Sequence, residues 1–178
     1  MIKSPLFTRK VVLGLAGLSL LAAPAALAAT SAQLTLTGTV QQILAITVSP
    51  TASASGLDLT GSITSLKVAD VIAEANDPAG YAISVSSLNQ TNNDCDAANG
   101  PCFLSATATT NDNLAFSLLR NSVAVSFSND TGSFVATTAR SAVGGDNYDA
   151  QITYDGTAAN LDQATDYTET LTFTIAAN

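Results

Sequence analysis

Cys95 and Cys102 are the only cysteines in a 178-residue chain that contains no histidine. Six residues, Asp-Ala-Ala-Asn-Gly-Pro, separate them, and Asn99-Gly100-Pro101 supplies a turn that returns one cysteine to the other. The spacing does not fit a C-x-x-C redox or metal pair, and there is no second ligand pair for zinc. The expected chemistry is a local disulfide, which in the loop-entropy model restricts the unfolded chain by about 2.5 kcal/mol. Nucleophilic catalysis finds little support. Without histidine, Ser-His and Cys-His activation are absent, and a Ser-Lys arrangement would depend on Lys67 with no local motif around it. The fourteen acids fall mostly in turns, where Asp bonds its own backbone, so a carboxylate pair for glycoside hydrolysis is not expected. Asp94-x-Asp96, Asp146-x-x-Asp149 and Asp162-x-x-x-Asp166 are oxygen clusters of a kind Ca²⁺ accepts. None completes a D-x-D-x-D-G loop, since Ala98 stands at the third ligand place of the first. The expectation is a chain with no metal, no cofactor and no enzymatic activity. Asp94, Asp96, Asp146 and Asp149 are the positions a weakly held Ca²⁺ would use.

Those residues must be held by strands. The chain is rich in Thr, Ser, Ala and Val, and β-branched residues recur in short runs between turn clusters. Tyr81 to Leu88 alternates cleanly. Further strands are predicted at Phe103–Thr107, Leu114–Leu119, Val123–Phe127, Ser133–Thr137, Ala150–Tyr154 and Glu169–Ile175. The segment Leu66 to Val85 is predicted to be a hairpin turning at Asn76-Asp77-Pro78-Ala79-Gly80. Phe116, Phe127, Phe134, Phe173 and Tyr81 fall on strand positions and are expected in the core, whereas Tyr148 and Tyr154 lie near turns and are the aromatics best placed to contact a carbohydrate. Many short strands at this spacing predict an all-β protein, an antiparallel immunoglobulin-like β-sandwich.

The N-terminus predicts export. Lys3, Arg9 and Lys10 precede the apolar run Val11 to Leu21, and Ala26-Leu27-Ala28 forms a small-residue cleavage site, so residues 1–28 read as a cleavable signal peptide. Pro24 and the absence of a basic flank beyond the run argue against a spanning helix. The remaining 178 − 28 = 150 residues suit one domain. They keep Lys67, Arg120 and Arg140 against all 14 acids, a formal charge of 3 − 14 = −11. That balance excludes a phosphate-tracking nucleic-acid binder and adsorption to anionic lipid. The mature chain is expected to lie in the periplasm, at the cell surface or outside the cell, with no membrane insertion.

Beyond the cleavage site, Leu34, Leu36, Gly38 and Val40 alternate with Thr35, Thr37 and Thr39, giving one apolar and one hydroxylic face. A single strand from Leu34 to Val48 would span about 45 Å, too long for a sandwich of this size. A break is therefore expected at Gln41-Gln42, between an extension of residues 29–40 and a first core strand from Ile43 to Val48 in a domain of residues 41–178.

An alternating extension entering the first strand as Leu36-Thr37-Gly38-Thr39-Val40, with a closing strand Tyr167-Thr168-Glu169-Thr170-Leu171-Thr172-Phe173, resembles the subunits of chaperone–usher pili and the related spore-coat-protein-U group. The resemblance implies an incomplete immunoglobulin-like sandwich whose extension fills the groove of the next subunit by strand addition. Leu34, Leu36 and Val40 would then occupy a neighbour's pockets, with Gly38 at a shallow position. The pattern departs from those pilins where Ile43-Leu44-Ala45-Ile46 carries no cysteine and where Ala177, not tyrosine, is next to last. The expected function is a structural subunit of an extracellular filament or coat, associating with itself or with related subunits. The alternative is a self-contained secreted binding module, a lectin-like adhesin with its site in the acidic loops and residues 33–40 folded into its own sheet.

Overall fold

A computed structural model describes residues 31–92, 95, 100–106, 112–157, 161–163 and 166–178. The predicted signal peptide and the pair Asp94 and Asp96 lie outside these residues. The chain divides into two compact units, one ending at Gly38 and the other running from Thr39 to Asn178. In the first unit, residues 31–38 contain no strand, and Leu34 and Leu36 are exposed.

The second unit is all-β, and every ladder in it is antiparallel. Its strands are β1 (Leu44–Pro50), β2 (Ser62–Ala75), β3 (Tyr81–Ser87), β4 (Cys102–Ser105), β5 (Asn113–Ala115), β6 (Ser117–Arg120), β7 (Val123–Ala124), β8 (Phe127–Ser128), β9 (Thr131–Ala136), β10 (Asp146–Asp155), β11 (Tyr167–Thr168) and β12 (Leu171–Ala177). A single turn of helix, α1 (Leu88–Thr91), follows β3. The strands form a five-stranded sheet β1-β2-β10-β6-β7, a four-stranded sheet β12-β3-β9-β8 and a small sheet β11-β4-β5.

Alternation makes the core. In β3, Tyr81, Ile83, Val85 and Ser87 are buried while Ala82, Ser84 and Ser86 are only partly covered, as a period of two requires. In β2 the buried set is Ala69, Val71, Ala73 and Ala75, and in β10 it is Ala150, Ile152 and Tyr154. These side chains join Phe103, Phe116, Leu118 and Phe134 in one cluster. Phe134 meets Phe173 edge to face at 5.0 Å, a favoured geometry for aromatic pairs. Tyr81, Phe116 and Phe134 are core residues as expected, with Phe127 and Phe173 packed against them.

Three expectations are corrected. Leu66 to Val85 is not a hairpin: β2 pairs with β1 and β10, whereas β3 pairs with β12 and β9. Residues 76–80 carry the chain from one sheet to another. Gly80 makes this crossing possible, because its φ is +94° and a Cβ there would run into the Thr137 carbonyl. The predicted strand Leu114–Leu119 is interrupted at Phe116, whose side chain enters the core while β5 and β6 join different sheets. Val123 to Phe127 likewise divides into β7 and β8, each in its own sheet.

Candidate functional site

The first core strand does begin near Ile43, and its environment is unusual. Leu44, Ile46 and Val48 are register partners of Ala75, Ala73 and Val71, so they share the core-facing side of the sheet. The three partners are buried, yet Leu44 and Val48 are exposed and Ile46 is only partly covered. At the other sheet's edge, Leu171, Phe173 and Ile175 of β12 face the core beside Ser87, Val85 and Ile83 and are also incompletely covered. Among the described residues, neither β1 nor β12 has a partner on its outer edge.

Between these two edges lies an apolar groove of about 230 Å³. Val48 and Pro50 form one wall and Leu171 and Phe173 the other, while Ala69, Phe116, Leu118, Ala150 and Ile152 reach its floor. β1 begins, and β12 ends, at the end of the domain where residues 76–80 cross over. The groove's strand-edge lining lies toward the opposite end, at Val48 and Pro50 and at Leu171 and Phe173. It shares Ala54, Leu57, Phe103 and Glu169 with a wider, more polar cavity of about 660 Å³ between residues 54–60 and residues 161–163 and 167–169.

A carboxylate fixes the start of β12. Glu169 Oε2 accepts from the Ser87 hydroxyl at 2.6 Å and from Cys102 N–H at 3.3 Å. Its Oε1 accepts from the backbone N–H groups of Leu88, Asn89 and Thr170 at 3.1, 3.3 and 2.7 Å. Asn89, buried beside it, donates to the carbonyls of Cys102 and Thr168. The Cys95–Cys102 disulfide, Cα–Cα 5.8 Å, holds the same neighbourhood covalently. Sequence reasoning placed Glu169 on a strand and missed this role, since four of its five partners lie 67 to 82 residues away.

At the opposite end, Asn76 grips the entry to β1. Its Oδ1 accepts from Ile43 N–H at 2.7 Å, its Nδ2 donates to the Gln41 carbonyl at 2.7 Å, and its own N–H donates to the Ile43 carbonyl at 3.2 Å. The expected break at Gln41-Gln42 thus falls where a side chain, rather than a strand, takes over the pairing.

Of the calcium positions, Asp94 and Asp96 lie outside the described residues, and Asp146 and Asp149 do not converge. Asp146 and Asp149 lie three apart on β10, so they point to opposite faces. Asp146 turns inward, accepting from the Tyr81 hydroxyl at 2.6 Å and from Ala142 N–H at 3.0 Å. Asp149 turns outward to Lys67 Nζ at 2.7 Å, and Asp70 meets the same ammonium at 2.7 Å. These two acids, accepting hydrogen bonds from the Lys67 ammonium, Asp149 first and Asp70 second, raise the Lys67 pKa and hold it charged. A charged lysine cannot serve as a general base.

Tyr154 is too buried to form a carbohydrate platform, and Tyr148, which is partly covered, has its hydroxyl engaged within the domain. The Tyr148 hydroxyl shares a 2.7 Å hydrogen bond with Tyr81, and Tyr154 is buried, donating to the Asp58 carbonyl at 2.9 Å. Burial, then the bonds to Asp146 and Tyr148, pushes the Tyr81 hydroxyl far above its ordinary pKa. Tyr167 is pushed up to about 12 by burial and by its hydrogen bond to Asp112. Asp58 and Asp155 do the turn-building expected of loop acids, accepting from the backbone and hydroxyl of Thr60 and Thr157.

Fold and site together define an antiparallel all-β domain with one disulfide and an unfilled apolar seam between two free sheet edges. No protein-family model matches this chain, and no curated protein matches it.

Proposed function

We propose that the chain is a non-enzymatic structural subunit of an extracellular filament or coat, an incomplete immunoglobulin-like β-sandwich that assembles by strand addition. The observation that carries this reading is the groove between β1 and β12, which leaves core-facing Val48 exposed. A strand laid at the Val48–Pro50 end would meet a free hydrogen-bonding edge and a hydrophobic floor, the two things that strand addition requires, whereas elsewhere β1 and β12 already lie close together. The segment suited to fill it is the extension, residues 29–40. Its Leu34, Leu36 and Val40 are 83 %, 84 % and 89 % exposed and alternate with threonines. Burying a leucine from full exposure contributes about 1.5–3 kcal/mol, so two or three such residues give each junction substantial affinity. The partner is another copy or a related subunit. Export through a cleaved signal peptide fits the disulfide, and among the described residues no helix is long and apolar enough to cross a membrane.

The test is the mass and shape of the exported chain by light scattering and negative-stain microscopy. Fibres or ladders that vanish when residues 29–40 are deleted support the reading; a monomer at every concentration overturns it.

A second reading has its own observation. The cavity between residues 54–60 and residues 161–163 and 167–169 falls within the size range of small-ligand pockets. It is lined by Asp58, Asp162, Gln163 and Tyr167 beside Leu57, Leu59 and Leu161. A self-contained binding module would use this cavity, and a monomer that retains a saccharide on glycan-array screening would favour it.

A further inference from the structure

We infer that Asn76 prevents the chain from filling its own groove and so reserves the groove for a second copy. The inference rests on the strand-addition reading. An extension that precedes β1 has two ways to reach the groove. It can enter a neighbour as a straight strand, or it can turn back as a hairpin along the free edge of its own β1.

Hairpin geometry decides what the second route needs. Residues in an antiparallel hairpin pair symmetrically about the turn. Setting Leu36 beside Val48 and Leu34 beside Pro50, the two β1 residues that line the groove, centres the turn on Gln42 and places it at Gln41–Ile43. That is the segment Asn76 holds. The β1–β2 ladder ends with Leu44 opposite Ala75. One step further, the Asn76 backbone N–H and both polar atoms of its side chain bind Ile43 and Gln41. The Asn76 amide fixes the direction in which the Gln41 carbonyl and the Ile43 N–H point, toward β2, and a hairpin turn at Gln41–Ile43 would have to redirect both.

With this grip intact the turn must fall before Gln41. A turn at Gly38-Thr39 would set Leu36 beside Gln41 and Leu34 beside Ile43, seven residues short of Val48 and Pro50, which is about 23 Å along a strand. The leucines would then miss the groove. A neighbour's extension needs no turn and meets no such obstacle. Asn76 thus discriminates between a chain's own extension and that of another copy without touching the groove.

The experiment places Leu36→Cys and Val48→Cys in the exported chain, with Asn76 retained or changed to Ala or Asp. Mild oxidation at one fixed protein concentration is followed by mass analysis under non-reducing conditions. With Asn76 present, the 36–48 bond should form between copies and give a ladder. With Asn76→Ala, the ratio of bonds within a chain to bonds between chains should rise by roughly tenfold, the equilibrium effect of losing two ordinary hydrogen bonds. Asn76→Asp keeps the acceptor for Ile43 N–H and loses the donor to Gln41, so it should fall between. A purely structural Asn76 would lower the melting temperature and leave that ratio unmoved. An unchanged ratio in Asn76→Ala overturns the inference while strand addition stands. Absence of any 36–48 bond in all three backgrounds overturns the strand-addition reading itself.

Discussion

Val48 and Val71 are register partners on neighbouring strands and point to the same face of one sheet, yet Val71 is completely buried and Val48 is 38 % exposed. The difference arises from what lies opposite. Val71 sits in the middle of the sheet, within the shared core, whereas Val48 looks into the seam beyond the last strand of the other sheet. An edge that leaves core-facing residues uncovered loses stabilisation that a further strand would supply. The first prediction follows from this pair.

A charge on either side of the seam should block assembly. Leu36→Asp on the extension and Val48→Asp on the groove wall each force a carboxylate into an apolar contact, at a cost of about 3 kcal/mol or more. Light scattering should show monomers in both cases, and the circular-dichroism melting curve of the domain should move little. Polymers that persist in both variants would sink strand addition.

Removing the charge at residue 169 should destabilise the fold. In Glu169→Gln one oxygen becomes an NH₂ that confronts the donors it used to bind, from Ser87 and Cys102 or from Leu88, Asn89 and Thr170. Hydrogen bonds to a charged group are worth about 1.5–3 kcal/mol each, so a loss of about 2–3 kcal/mol is expected in urea unfolding. A midpoint equal to that of the unaltered chain would mean that the carboxylate does not pin β12.

Alkaline pH should unfold the protein through its buried tyrosines. Both Tyr81 and Tyr167 have folded pKa values raised above the ordinary 10, Tyr167 to about 12 and Tyr81 higher. The neutral hydroxyl is therefore favoured in the folded state, and this stabilisation is fully present below pH 10. It is lost progressively as pH rises, between pH 10 and about 12 for Tyr167 and continuing above that for Tyr81. Melting temperatures followed across this range should fall steeply. In Tyr81→Phe the fall should be shallower, while stability at neutral pH drops by about 1–2 kcal/mol because Asp146 loses its hydroxyl donor. Parallel curves for the two proteins would remove Tyr81 from the explanation.

Reduction of Cys95–Cys102 should lower stability by about 2.5 kcal/mol, the loop-entropy value for so short a closure. The comparison is urea midpoints with and without reductant, with Cys95→Ala plus Cys102→Ala as the permanent equivalent. Because Cys102 also donates its N–H to Glu169, combining the double substitution with Glu169→Gln should cost less than the sum of the two losses.

Much of the strand content was legible because alternation is a local signal. Tyr81 to Ser87 writes its buried face in every second residue, and the Cys95–Cys102 bridge follows from spacing and turn residues alone. The hairpin error has a physical cause. Asn76-Asp77-Pro78-Ala79-Gly80 reverses the chain equally well between neighbours in one sheet and between two sheets, and nothing local distinguishes the two. Asn76 itself looked like a turn residue, although two of its three bonds to Gln41 and Ile43 come from the side chain. Glu169 and the interruption at Phe116 depend on partners distant in sequence, so no window of residues could display them. The groove was expected only through the resemblance, because the lack of outer partners of both edge strands, among the described residues, is a property of topology.

The β1–β2 ladder has a mechanical consequence. Seven consecutive residues of β1 pair with β2 without a register shift, from Leu44–Ala75 to Pro50–Ala69. Antiparallel hydrogen bonds run across the strands, so a force drawing the chain lengthwise from Gln41 loads all of those bonds together in shear rather than opening them one by one. A thread of such units under tension would hold at this ladder until it failed as a whole.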